Sequence, residues 1–97
     1  MPTTNPFTDE VRDTQSLSGV NTDGSGDVTV TFDTLRQIDD AASVSVQADG
    51  GYVANVQSVT GNEATVRLFE SAGSAAALSA VTGGSGVTDL YAEATGF

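Results

Sequence analysis

Residues 28–32 read Val-Thr-Val-Thr-Phe, branched or aromatic side chains alternating with hydroxylated ones. That period of two demands a strand with one dry face and one wet face. The pattern returns down the chain. Residues 43–48 alternate so that Val44, Val46 and Ala48 share a face, and Asp49, Gly50 and Gly51 then make a turn signal. Residues 52–59 form the next strand, in which Val53, Val56 and Val59 cannot share one face at period two without a bulge. Residues 60–63 turn the chain, and residues 64–70 come back with Ala64, Val66 and Leu68 inward, completing a hairpin. Residues 87–94 close as a last strand, and Phe97 ends the chain as a buried or intersubunit aromatic. Short strands at intervals of roughly ten residues with turns between them imply an all-β fold, a small antiparallel β-sandwich.

Two stretches depart from that rhythm. Residues 1–27 are dominated by Thr, Asp, Ser, Asn and Gly and carry both prolines, Pro2 and Pro6. They read as a polar N-terminal arm or linker ahead of a sandwich domain over residues 28–97. Phe7, Val11, Leu17 and Val20 are the arm's sticky points. Residues 7–15 fit a short helix capped by Thr8, but an extended arm ordered against a neighbouring subunit is the preferred reading. Residues 17–20 suit a short edge strand. The second stretch, residues 71–86, is biased towards small residues. Within it residues 75–81 have helical propensity, enough for a turn or two over the open end of the sheets, with a loop as the alternative; residues 83–86 read as a linker. Between them, residues 33–40 are a crossing loop whose Leu35 and Ile38 plug one end of the core.

Charge narrows the setting. Thirteen Asp and Glu stand against three arginines, Arg12, Arg36 and Arg67, with no lysine, for a net charge of −10. Disorder would require low hydrophobicity, yet 38% of the residues are apolar and fall in strand periods. The alternative is a folded protein in molar salt, where the Debye length shrinks to about 3 Å and like charges are screened. A core of small residues suits that solvent, because excluded salts strengthen apolar burial. The composition is that of an extreme halophile or of something living on one. Three scattered arginines cannot build a basic patch, which disfavours anionic lipid and all but excludes nucleic acid as partners. No apolar run is long enough for a spanning helix, and Met1 is followed by Pro-Thr-Thr-Asn-Pro rather than by a basic and then apolar signal segment.

Catalytic chemistry finds little to work with. There is no cysteine and no histidine, which removes thiolate and imidazole as nucleophile, base and metal ligand. No serine has a histidine or lysine to activate it. The chain is therefore expected not to be an enzyme and to carry no cofactor. Residues 21–27 have the oxygen density of a cation loop but lack the spacing of an EF-hand, and they read as a plain turn into the first strand. Asp39 and Asp40 read as solvated loop charge. Tyr52, after two glycines, is the most presentable ring for stacking on a sugar or a partner, against the simpler reading of a rim tyrosine with its hydroxyl in water.

The order of these strands carries a resemblance. Val28-Thr-Val-Thr-Phe-Asp33, then Ser43-Val-Ser-Val46, then Val56-Gln-Ser-Val-Thr-Gly-Asn-Glu-Ala-Thr-Val66, then Leu90-Tyr-Ala-Glu-Ala-Thr-Gly96 resembles the small sandwich of H-type lectins and related viral fibre domains. The resemblance covers residues 28–97. It implies a homo-oligomer, trimeric or larger, and for some members sugar binding, which would fall to Tyr52 and Tyr91 here; tryptophan is missing from this chain. Joined to the halophilic composition, it implies a structural virion protein of a tailed virus of haloarchaea, exposed to high salt. Such a capsid decoration or turret component would dock to the major capsid protein or another virion protein through its arm. Phe7, Val11, Leu17 and Phe97 are the expected assembly contacts. The alternative is a tail-fibre or cell-surface module that binds host glycans.

Overall fold

A computed structural model describes residues 11–71 and 78–97. The strands, in chain order, are β1 (Val11–Leu17), β2 (Asp27–Thr31), β3 (Val44–Ala48), β4 (Tyr52–Thr60), β5 (Glu63–Ser71), β6 (Leu78–Ala80) and β7 (Leu90–Gly96), with a 3₁₀ turn at Ala41–Ser43. They pair antiparallel in two sheets, one in the order β1-β7-β3 and the other in the order β2-β5-β4, with β6 also on β5. Because β4 already occupies one side of β5 as far as Glu70, β6 must continue the β2 side. Leu68 marks the junction, its N–H donating to Gly26 and its carbonyl accepting from Val81.

The alternating runs do what their period dictates. Val28 and Val30 of β2 and Phe32 just beyond it point inward, as do Ala64, Val66 and Leu68 of β5 and Leu90, Ala92 and Ala94 of β7, and all of these are buried. β4 contains the bulge: its register with β5 shifts between Val56 and Ser58. That shift puts Val56 and Val59 together against the core and leaves Val53 exposed on the other face.

Inner rows of both central strands taper towards the same end, Leu68 to Ala64 on β5 and Leu90 to Gly96 on β7. The space released is filled by Phe32, Leu35 and Ile38, all 2% exposed or less. Each such side chain contributes about 1.5–3 kcal/mol when fully buried, so the crossing loop supplies much of the core that the small strand residues cannot. Gly96 lets the loop come that close. A Cβ there would stand 2.0 Å from the Gln37 carbonyl oxygen, and the Phe97 carbonyl accepts from the N–H groups of Arg36 and Gln37.

Four expectations change. Residues 11–17, assigned to the arm, form the edge strand β1, neither helix nor free arm, because seven residues pair in register with β7 from Val11 opposite Gly96 to Leu17 opposite Leu90. In the stretch 75–81, read as a helical turn or a loop, Leu78–Ala80 is a strand, since the edge of β5 beyond the end of β2 offers it a ladder; residues 75–77 lie outside the described residues. Residues 87 and 88 precede the last strand and bond instead to Val20, which donates to Thr88 and accepts from Val87. The glycine stretch 83–86 is pinned rather than a linker: Gly83 donates to the Asp23 carbonyl, Gly84 to Thr22 Oγ1 and Gly86 to Asn21 Oδ1.

Candidate functional site

The three-stranded sheet turns its second face to solvent, and Tyr91 stands at its centre. Parity decides this. Leu90 and Ala92 point inward on β7, so Tyr91 between them points out and is 47% exposed. Register supplies its neighbours, Ser16 of β1 on one side and Gln47 of β3 on the other. Shallow hollows flank the ring, one lined by Ser16, Ser18, Gln47, Asp49 and Asp89, the other by Ser45, Val46, Gln47 and Glu93. The first has a fixed rim. Gly19, at φ 55°, donates its N–H to Asp89 Oδ1 at 2.8 Å, and the Thr88 hydroxyl donates to the Asp49 carbonyl at 2.9 Å. An exposed ring beside an amide, hydroxyls and carboxylates can stack on an apolar ring face and hydrogen-bond to its hydroxyls. Tyr52 is not part of it. It lies half-buried on the inward row of β4, beside Gly50 and lining neither hollow.

A second exposed feature lies at the end of the same sheet. Val11 pairs with Gly96 and is 39% exposed, and Phe97, next in sequence to Gly96, is 46% exposed. Two of the expected assembly residues thus stand exposed at the same end of the sheet. Leu17 is at the opposite end of β1, half-buried and packed against both core clusters. Phe97 is therefore not a buried aromatic; its backbone is tied down while its ring stays out. Phe7 lies outside the described residues.

The acidic loops hold the backbone. Asp23 Oδ1 accepts from the N–H groups of Ser25 and Asp27 at 2.8 and 3.0 Å, closing a turn in residues 21–27. The Asp27 and Ser25 amides, with that of Gly26, hold the Asp23 carboxyl below its ordinary pKa. Asp27 itself is bonded to Arg67 at 2.8 Å across the β2–β5 ladder, and this hydrogen bond raises the guanidinium's pKa above its usual value. Asp40 caps the 3₁₀ turn, accepting from the Ser43 N–H and hydroxyl. Among the described residues no three acidic side chains converge to hold a metal ion.

Two groups were missed in the sequence. Asp13 is an inward-facing carboxylate on β1, 8% exposed, accepting from the Thr34 N–H and from Gln15 Nε2 at 3.2 Å each. Burial pushes its pKa up, but hydrogen bonds from Thr34, Gln15 and Thr14 outweigh that and hold it below the ordinary carboxylate value. The other is a set of apolar residues out of phase with the core, Val53 on β4 and Phe69 on β5. The signal was present: if Val66 and Leu68 point in, Phe69 points out.

The chain matches no family model, no curated protein and no solved structure.

Proposed function

We propose that the protein is a non-enzymatic structural component of a haloarchaeal tailed virus, a capsid decoration or turret subunit that multimerises and docks through its N-terminal segment. The observation that carries the reading is that Val11 and Phe97 are both exposed at one end of the three-stranded sheet. Apolar side chains held in water at the root of a polar arm favour a contact made jointly by arm and sheet end. The net charge of −10 without lysine supports a molar-salt setting, and the two-sheet fold is compatible with the H-type lectin-like sandwich that the strand order resembles. The experiment is quantitative peptide mass spectrometry of purified virus particles, scaled to the major capsid protein. Tens of copies or more are expected for wild type, and loss from the particle for Val11→Asp combined with Phe97→Asp. Absence of the wild-type protein from particles overturns the proposal.

A second reading, a glycan-binding adhesion module, is favoured by Tyr91 between its two hollows. It requires Tyr91→Ala to abolish binding to a host envelope fraction while circular dichroism is unchanged. Equal binding by the variant removes it.

A further inference from the structure

The outer face of the four-stranded sheet differs from the Tyr91 face. Val53, Phe69 and Ala80 form one continuous row across β4, β5 and β6, and Leu78 stands beside it on the same face, two residues before Ala80. Val53 is 43% exposed and Leu78 50%, while Phe69 and Ala80 are half-buried. The next row is Asn55, Arg67 and Asp27, whose two charges are bonded to each other, and the row after that is Ser58, Thr65 and Thr29. An apolar row thus borders two rows without net charge, and the uncompensated Glu63 stands in the row beyond them, between Thr60 and Thr31.

On a chain of net charge −10 this placement selects the partner. Asp23, Asp33, Asp39, Asp40, Asp49 and Asp89 all lie in loops between strands, so a basic partner would be drawn to the loops and not to this face. The partner hardest to bring close is another copy, and the Val53 end of this face, with Glu63 kept to its far end, is where two copies meet with least repulsion. Sheets pack face to face about 10 Å apart through such flat rows.

We propose that this face is an isologous interface with a second copy of the chain, centred on Val53, Phe69 and Leu78. The proposal rests on the multimerisation in the proposed function and names one of its surfaces. A two-fold contact doubles whatever unit the arm end builds. Association strengthens with salt, which both screens the repulsion and strengthens apolar burial.

The test is the mass in solution, by sedimentation velocity or light scattering in molar potassium chloride, of wild type, of Val53→Glu with Leu78→Glu, and of Val11→Glu with Phe97→Glu. Both altered residues of the face variant are solvent-exposed in the monomer, and unchanged circular dichroism verifies its fold. Wild type is expected as an even number of 9.8 kDa chains, the face variant at half that mass, and the end variant still two-fold. Wild type as a single chain overturns this interface and multimerisation together. A wild-type oligomer whose mass the face variant leaves unchanged overturns the interface alone. Loss of pairing in the face variant of a protein that is missing from virus particles upholds the interface while removing the virion reading.

Discussion

β1 and β7 are hydrogen-bonded neighbours of seven residues each, and they use their inner faces in opposite ways. β7 buries Leu90, Ala92, Ala94 and Gly96, a row that tapers to admit the crossing loop. β1 presents Val11, Asp13, Gln15 and Leu17, of which the one fully buried member is a carboxylate held by donors. One strand is fixed by packing, the other by its ladder and a buried polar anchor. An inward carboxylate on an edge strand also discourages a stray strand from adding to it. β1 is therefore the element expected to open at lower free energy, with faster amide exchange than β7.

The largest effect should come from filling the narrow end of β7. In Gly96→Ala the added carbon would lie 2.0 Å from the Gln37 oxygen and 3.0 Å from the Ile38 Cα. The obstruction is backbone and cannot rotate away, so the loop carrying Leu35 and Ile38 must lift. The expected cost is at least the roughly 1–3 kcal/mol of ordinary overpacking, read as a fall in denaturant midpoint at fixed high salt. A change below about 0.5 kcal/mol, the size of a neutral surface substitution, would mean that the taper of β7 does not hold the loop.

An intermediate effect belongs to the anchor of β1. Asp13→Asn keeps the shape but removes the charge that accepts from Thr34 and Gln15, and should cost about 1–2 kcal/mol near neutral pH. The sign with pH follows from the lowered pKa. Stability from Asp13 is present above the unfolded-state value and is lost as pH falls through the lower folded-state value. Acidification should then narrow the gap between wild type and variant, with exchange rising first in the β1 amides. Parallel curves for the two proteins down to the acid limit would show that the carboxylate does not anchor the strand.

The same contrast explains what could be read from the sequence. β2, β3, β5 and β7 were legible because runs of their inner rows are apolar at period two, and the β4 bulge was legible because Val56 and Val59 could not otherwise share a face, although it leaves Val53 on the other one. β1 was hidden because Asp13 and Gln15 occupy its inner row, so the alternation that announces a strand is missing. β6 was hidden because alanine and leucine favour helix locally, whereas its strand is imposed by the β5 edge it meets in the fold. At the candidate site, Tyr91 could be placed outward by parity alone. Ser16 and Gln47 beside it depend on register between strands distant in sequence, which no local pattern carries. Two glycines ahead of Tyr52 suggest an exposed ring, whereas its place on the inward row of β4, beside Gly50, leaves it half-buried.

The smallest effect should be at the remaining link between the two strands. Arg12 Nη1 lies 3.5 Å from Glu93 Oε2, with side chains 68% and 36% exposed. Long exposed side chains lose entropy when they pair, and such pairs are worth about 0–1 kcal/mol. In molar salt, with a screening length near 3 Å, even that contribution is reduced. Arg12→Ala should therefore shift the denaturant midpoint by less than about 0.5 kcal/mol in high salt, with the shift growing as salt is lowered. A loss in high salt as large as that of Asp13→Asn would place the hold on β1 at its outer face. A negligible loss keeps it at Asp13 and the ladder, where an ion-rich solvent has least access.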